Sequence, residues 1–188
     1  MDERTEELRA VLAAYKTVME TFRPDLHPAM ARRSALWDSA SEASLRSELT
    51  EYLREASRPD CGVRVFWKLG PQLVFGGCNE HFAHDGGLPD AASMVGIDDF
   101  DKRLSWRRQA PKYRKDDKAV LASGKAEPNI IERQEQPDGK VIWVHVGKAP
   151  IRVKSGEVIG VFGMYEIIDE ATALKQYSSQ LGKPSSSS

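Results

Sequence analysis

The chain has 188 residues, 40% of them hydrophobic, and a formal net charge of −1. That length suits one domain with appendages, and the near-neutral balance argues against a nucleic-acid binder that works by phosphate neutralisation. Two cysteines, Cys61 and Cys78, form neither a Cys-x-x-Cys pair nor a disulfide framework, which fits a reduced, cytoplasmic setting. No run of 18 or more apolar residues offers a membrane span, and the start Met-Asp-Glu-Arg-Thr-Glu-Glu lacks a secretory signal core. The cluster Arg103, Arg107, Arg108, Lys112, Arg114, Lys115 and Lys118 is surrounded by Asp98, Asp99, Asp101, Asp116 and Asp117. It reads as a solvated mixed-charge face.

In residues 5–22, Leu8, Val11, Tyr15, Val18 and Phe22 recur at alternating spacings of three and four, an apolar seam of about two heptads. Such a seam serves either a dimer contact or docking on the chain's own domain. Arg23-Pro24 ends it, because a residue before proline leaves the α region. Residues 25–37 are compatible with a short helix that has Pro28 in its first turn. Ser39 followed by Glu42 has the form of a capping box, and Leu45, Leu49, Leu53 and Ala56 give a helical stripe over residues 40–56. Residues 63–69 are rich in β-branched and aromatic side chains and predict a strand. Gly70-Pro71-Gln72 is a turn, and residues 73–75 form the returning strand.

Asn79 opens a short helix, and Asp90 is a candidate N-cap for residues 91–95. Residues 105–123 form the one long central helix, with Ser105 as its cap. Trp106, Ala110, Tyr113, Asp117, Val120 and Leu121 lie on one side of it, and Gly124 stands at its C-terminus. Residues 127–135 read as a strand. Pro137-Asp138-Gly139 and Lys154-Ser155-Gly156-Glu157 are hairpin turns that join three consecutive antiparallel strands. Leu174, Tyr177 and Leu181 mark a weak C-terminal helix, and Gly182-Lys183-Pro184 with four serines reads as a flexible tail. Strands at both ends with helices between them predict an α+β fold with one antiparallel sheet.

In their order, several of these stretches resemble the PAS domain family. Phe66-Trp67-Lys68 with residues 73–82 resembles the family's opening hairpin and Asn-x-x-Phe helix start. Val95-Gly96-Ile97-Asp98-Asp99-Phe100-Asp101 resembles its Gly-x-x-Asp-x-Asp loop. Trp106, Gln109-Ala110 and residues 113–117 resemble the long helix of one subgroup, and the two late turns match as well. The resemblance covers about a hundred residues. It implies a PAS-like five-stranded antiparallel sheet of order 2-1-5-4-3 with helices on one face, preceded by an N-terminal helical extension. The organisation expected is an extension over residues 1–60, a PAS domain over 61–168, and a C-terminal helix and flexible tail over 169–188.

The family resemblance implies a small pocket between helices and sheet, occupied by haem, flavin, a metabolite or the protein's own side chains. Neither haem nor flavin is supported by a specific motif. The long helix has no histidine to ligate haem iron, His81 and His84 lie on the early short helix, and Cys78 precedes Asn79 where a photoreactive flavin motif would place cysteine after asparagine. Asn79, Trp106, Tyr113, Arg114, Asn129, Trp143 and His145 are the candidate ligand-binding residues. Alternation along the fourth strand puts Val141, Trp143 and His145 on one face and Ile142, Val144 and Val146 on the other. Both sets are largely apolar, so both faces are expected to be covered. Adjacent Asp116 and Asp117 point about 100° apart on a helix and are read as surface residues. No catalytic motif stands out, so no enzymatic role is expected.

The function expected is a cytoplasmic sensory PAS module that binds a small ligand and relays its state through flanking helices and homodimer contacts, to a signalling partner or an output domain not visible here. The alternative is a ligand-free dimerisation or partner-docking module. No nucleic-acid or membrane partner is expected.

Overall fold

A computed structural model describes residues 2–181. The predicted tail from Gly182 onward and the side chains of Gln180 and Leu181 lie outside the described residues. Three helices come first, α1 (Glu3–Phe22), α2 (His27–Ser34) and α3 (Glu42–Ala56), followed by β1 (Val63–Leu69) and β2 (Val74–Cys78). Then come α4 (Glu80–Asp85), 3₁₀ turns at Ala91–Met94 and Arg107–Gln109, and α5 (Ala110–Ser123). The chain closes with β3 (Glu127–Glu135), β4 (Val141–Arg152), β5 (Val158–Ile168) and α6 (Glu170–Leu181).

All five strands pair antiparallel in the order β2-β1-β5-β4-β3, the order expected of a PAS-like sheet. Both hairpin turns form, with Gly139 (φ +83°) and Gly156 (φ +96°) supplying the left-handed positions that other residues adopt at a cost. β2 runs longer than residues 73–75. Leu73 instead takes a left-handed conformation (φ +54°) and packs with Val120 and Val161. Gly76 is the extra residue of a bulge opposite Trp67 and Lys68, so pairing continues through Gly77 and Cys78, past the expected end at residue 75.

Two caps differ from expectation. Ser41, not Ser39, caps α3, its Oγ accepting from Ser44 N, because Ala40 is already extended (ψ 147°) and the helix starts after it. Ser105 donates its hydroxyl to Asp85 O instead of capping a helix, and α5 starts only at Ala110, with Pro111 in its first turn.

The sheet separates two cores. On the outer face, α1 lies across β4 and β5, and Val11, Tyr15 and Val18 pack with Val65, Trp67, Ala149, Ile151, Phe162 and Met164. The α1 seam is therefore spent on the chain's own sheet. Gly147 makes this approach close, since a Cβ there would sit 2.6 Å from Phe22 Cε2. Arg9 donates to Trp37 O and Ala40 O, and Glu6 accepts from Lys154 N, fastening the N-terminal part of α1 to two neighbouring segments. The rest of the outer face, on β3 and β4, is covered by α6, which Asp169 caps by accepting from Thr172 N. On the inner face, α4, the 91–94 turn and Leu104–Trp106 close over Phe66, Phe75, Val144, Val146 and Tyr165.

Candidate functional site

The inner face carries a feature that apolar patterning does not predict. Lys68 on β1 and Lys148 on β4 both point inward, in phase with Phe66 and with Val144 and Val146. Each is 2% exposed. Burying an ammonium costs several kcal/mol unless it is paired, and the pairing is supplied from the helical wall. Lys68 Nζ donates to Asp99 Oδ2 and Asp117 Oδ2, both at 2.5 Å, and its ammonium lies 5.2 Å from the ring centroids of Phe66 and Phe75. Lys148 Nζ donates to Asp117 Oδ1 at 2.8 Å. Trp106 Nε1 donates to the other Asp99 oxygen at 2.9 Å. Asp117 is fully buried, which corrects the surface role given to it, whereas Asp116 is partly exposed and pairs with Lys112. The burial of Asp117 also corrects the solvated face at Asp99 and Asp117, because Lys68 and Lys148 draw both aspartates inward.

Burial opposes ionisation of Asp117, but the two ammoniums beside it outweigh burial and hold its carboxyl below the usual value. Burial likewise opposes the charge on Lys68, and Asp117 and Asp99 reverse the effect, keeping the ammonium protonated. On Lys148, Glu132 and Asp117 do the same. These bridges stitch the helical wall, through the 95–106 loop and α5, to the sheet.

Glu132 is the fifth ionisable group and fits this arrangement least. It projects inward from β3, buried, with Lys148 and Lys112 at 3.6 and 3.7 Å from Oε1, beyond hydrogen-bond distance. Its Oε1 has no hydrogen-bond partner among the described residues. Burial pushes its carboxyl above the usual range, against the pull of the two lysines. A buried carboxyl oxygen without a partner costs about 1–3 kcal/mol.

Beside it, Gln134 Nε2 donates to Tyr165 Oη, which donates to Asp85 Oδ2, which in turn is gripped by Arg64 at 2.7 and 3.3 Å. A polar relay therefore runs from the chamber to the start of β1. The free space enclosed by Phe66, Lys68, Trp106, Glu132, Gln134 and their neighbours is about 30 Å³, room for one or two waters and far below the roughly 300–1000 Å³ of ligand pockets.

Only two of the seven sequence-predicted candidates line this chamber, Trp106 and Tyr113, the latter donating its hydroxyl to Arg133 O. Asn79 is consumed structurally. It caps α4, accepts from Val65 N and donates to Ala56 O and Val63 O. Arg114 is at the surface, over the Phe100 ring and beside Asp98. Trp143, His145 and Asn129 belong to the outer face. Trp143 packs with Arg133 and Tyr177, and His145 stacks on Phe22 and bonds Asn129. Both faces of β4 are thus covered, as its alternation requires.

The residues do not fit haem or flavin. His81 and His84 face backbone carbonyls at Arg58 and Pro89, away from the chamber. The described residues contain no cluster of three or more His, Cys, Asp or Glu side chains that could hold a metal ion, and a chamber of about 30 Å³ lined by Lys68, Asp99, Glu132 and Lys148 leaves no slot for a large planar ring. No helix among the described residues is long and apolar enough to cross a membrane.

No protein-family model matches the sequence, and no curated protein matches it. Solved structures do match in fold. VqmA bound to DPO superposes with a TM-score of 0.53 at 19% identity, over 63% of this chain and 57% of that one. A Vibrio cholerae VqmA–ligand–DNA complex gives 0.53 at 18% identity, over 74% and 60%. An RNA-binding light-oxygen-voltage receptor gives 0.52 at 22% identity, over 72% and 37%, and a light-oxygen-voltage domain studied with a flavin analogue gives 0.54 at 14% identity, over 73% and 96%. The chain spans little more than half of the VqmA chains. These likenesses establish the PAS-like fold. Two of the neighbours bind nucleic acid, so the fold lends no support to the expectation of no nucleic-acid partner.

Proposed function

We propose that this chain is a ligand-sensing module whose site is the charged inner chamber, and that a small polar molecule reports its presence by loosening the helical wall from the sheet. The observation that carries the reading is Glu132. A buried carboxyl oxygen without a partner, between two ammoniums, is a recognition group in waiting. A ligand with a hydrogen-bond donor for Glu132 and an acceptor for Lys148 would satisfy both. Binding requires the chamber to widen, and widening moves the groups that tie Asp99 and Asp117 to Lys68 and Lys148, so occupancy couples to the position of α5 and the 95–106 loop. Fold neighbours solved with DPO and with a flavin analogue lend the reading support. We read the chain as a sensor without catalysis, since the chamber's aspartates are committed to ion pairs, and as one that signals through a homodimer or a separate partner.

A second reading, a ligand-free interaction module, draws on the small size of the chamber and the internal pairing of four of its five charges. Mass spectrometry of small molecules released when the purified protein is denatured separates the two, with an absorption spectrum taken first. A released compound whose retention is lost in Glu132→Leu supports sensing. A protein that releases nothing, and that no member of a polar metabolite panel stabilises against heat, supports the interaction module. Sedimentation of the full chain at rising concentration tests the homodimer. A single monomeric species throughout removes that part of the proposal.

A further inference from the structure

A cavity far larger than the inner chamber lies on the other side of the sheet. α1, α2, α3 and the start of β1 enclose a cleft of about 1050 Å³, at the upper end of ligand-binding volumes. Its floor is apolar and adaptable, with Met19, Met30 and Met164 presenting flexible thioethers. Tyr15 stands in this floor. Its ring is fixed against Phe162 (4.8 Å between centroids) and Tyr52 (5.7 Å), and the residue is 3% exposed. Its hydroxyl makes no hydrogen bond among the described residues, yet it is not among their sealed-off unpartnered polar atoms, so it meets the open space of the cleft, where a phenol looks for a partner. Tyr15 lines the cleft together with Tyr52, Cys61 and Arg23. Burial pushes its ionisation well above the ordinary tyrosine range, which keeps it a hydrogen-bond donor at any physiological pH.

The rim is charged but internally satisfied. Arg33 pairs with Glu48, Arg58 with Glu55 and Asp60, and Arg23 with Asp25. Glu48 also accepts from Trp37 Nε1 and Tyr52 Oη. Among the described residues these rim charges are paired, while the Tyr15 hydroxyl is left to recruit an acceptor.

From this we infer that the α1–α3 cleft is a second binding site, for a neutral, largely apolar aromatic molecule carrying one hydrogen-bond acceptor, held by Tyr15. It is independent of the inner chamber, from which the sheet separates it.

Nile red, which is neutral and flat with a carbonyl acceptor, is a suitable probe. Titrated into the full chain, it is expected to give saturable one-to-one binding with blue-shifted emission. Tyr15→Phe, which keeps the ring packing, is expected to weaken binding about three- to ten-fold, the worth of one hydrogen bond. Ser47→Trp, an exposed change at the mouth of the cleft, is expected to abolish it with the circular-dichroism melt unchanged. Non-saturable binding, or equal binding by wild type and both variants, would overturn the inference. Glu132→Leu in the inner chamber is expected to bind the dye as wild type does, so failure of the chamber proposal and failure of this one are read separately.

Discussion

Asp117→Ala is the most demanding perturbation of the inner core. The change removes one carboxylate that serves two buried ammoniums, at 2.5 Å from Lys68 and 2.8 Å from Lys148. Removing one partner of a buried pair costs about 3–5 kcal/mol, because the surviving charge is stranded. Lys68 keeps Asp99, so most of the penalty falls on Lys148, whose remaining carboxylate, Glu132, is 3.6 Å away. For a chain of this size each kcal/mol moves Tm by about 2–4 °C, so a loss of about 3–5 kcal/mol lowers Tm by roughly 6–20 °C. Pairing the change as Asp117→Leu with Lys148→Met, which removes both charges, should recover most of the loss, since apolar replacements of buried ion pairs are often neutral or stabilising. Differential scanning calorimetry of the wild type, Asp117→Leu, Lys148→Met and the double variant closes the cycle, with Asp117→Ala measured beside them. A Tm for Asp117→Ala within about 2 °C of wild type, or a double variant worse than the sum of its parts, would refute a dry, internally paired cluster.

Four further outcomes follow from the same geometry. The folded-state pKa of Glu132 is raised by burial from its ordinary 4.5, so its contribution to stability is complete below that value and is lost as pH rises through the folded pKa. Glu132→Gln should therefore gain Tm on wild type with rising pH across that window, and parallel pH profiles would count against it. Gly147→Val drives a side chain into Phe22 and Val18 and should cost about 1–3 kcal/mol by overpacking, with faster amide exchange confined to α1, whereas uniform exchange across the sheet would contradict the docking of α1. Asn79→Ala strands Val65 N and two carbonyls and removes a helix cap, so about 2–4 kcal/mol is expected. A denaturant titration measures that loss, and in it Arg114→Ala at the surface should stay within about 0.5 kcal/mol of wild type.

Much of the architecture was legible because it rests on period and punctuation. Gly139 and Gly156 mark turns that need left-handed backbone, Gly124 caps α5 with φ +64°, and the alternation of β4 assigned Trp143 and His145 to one face and Val144 and Val146 to the other. The α1 seam was visible, but its partner was not, since Val11, Tyr15 and Val18 suit a second helix as well as a sheet.

The inner cluster was missed for a different reason. Lys68 follows Phe66 in the inward phase, Lys148 follows Val144 and Val146, and Asp117 sits between Tyr113 and Val120 on the apolar side of α5. Each is a charge in a core position, and two cations and an anion in such positions on three elements are a signal of mutual burial. Asp99 and Glu132 gave no such signal, because a loop has no period and β3 alternates only weakly. Asn79 looked like a ligand-binding group because an asparagine beside a pocket and an asparagine capping a helix read alike in sequence.

The central claim, that a small polar ligand occupies the inner chamber, is tested most directly by the tryptophan indole N–H resonances. Trp106 Nε1 donates to Asp99 inside the chamber, whereas Trp37 Nε1 donates to Glu48 beside the α1–α3 cleft. In a ¹H–¹⁵N spectrum of the full chain, a polar compound that raises Tm should shift the Trp106 indole signal saturably and leave Trp37 unmoved. A stabilising compound that shifts Trp37 and not Trp106 would contradict the account.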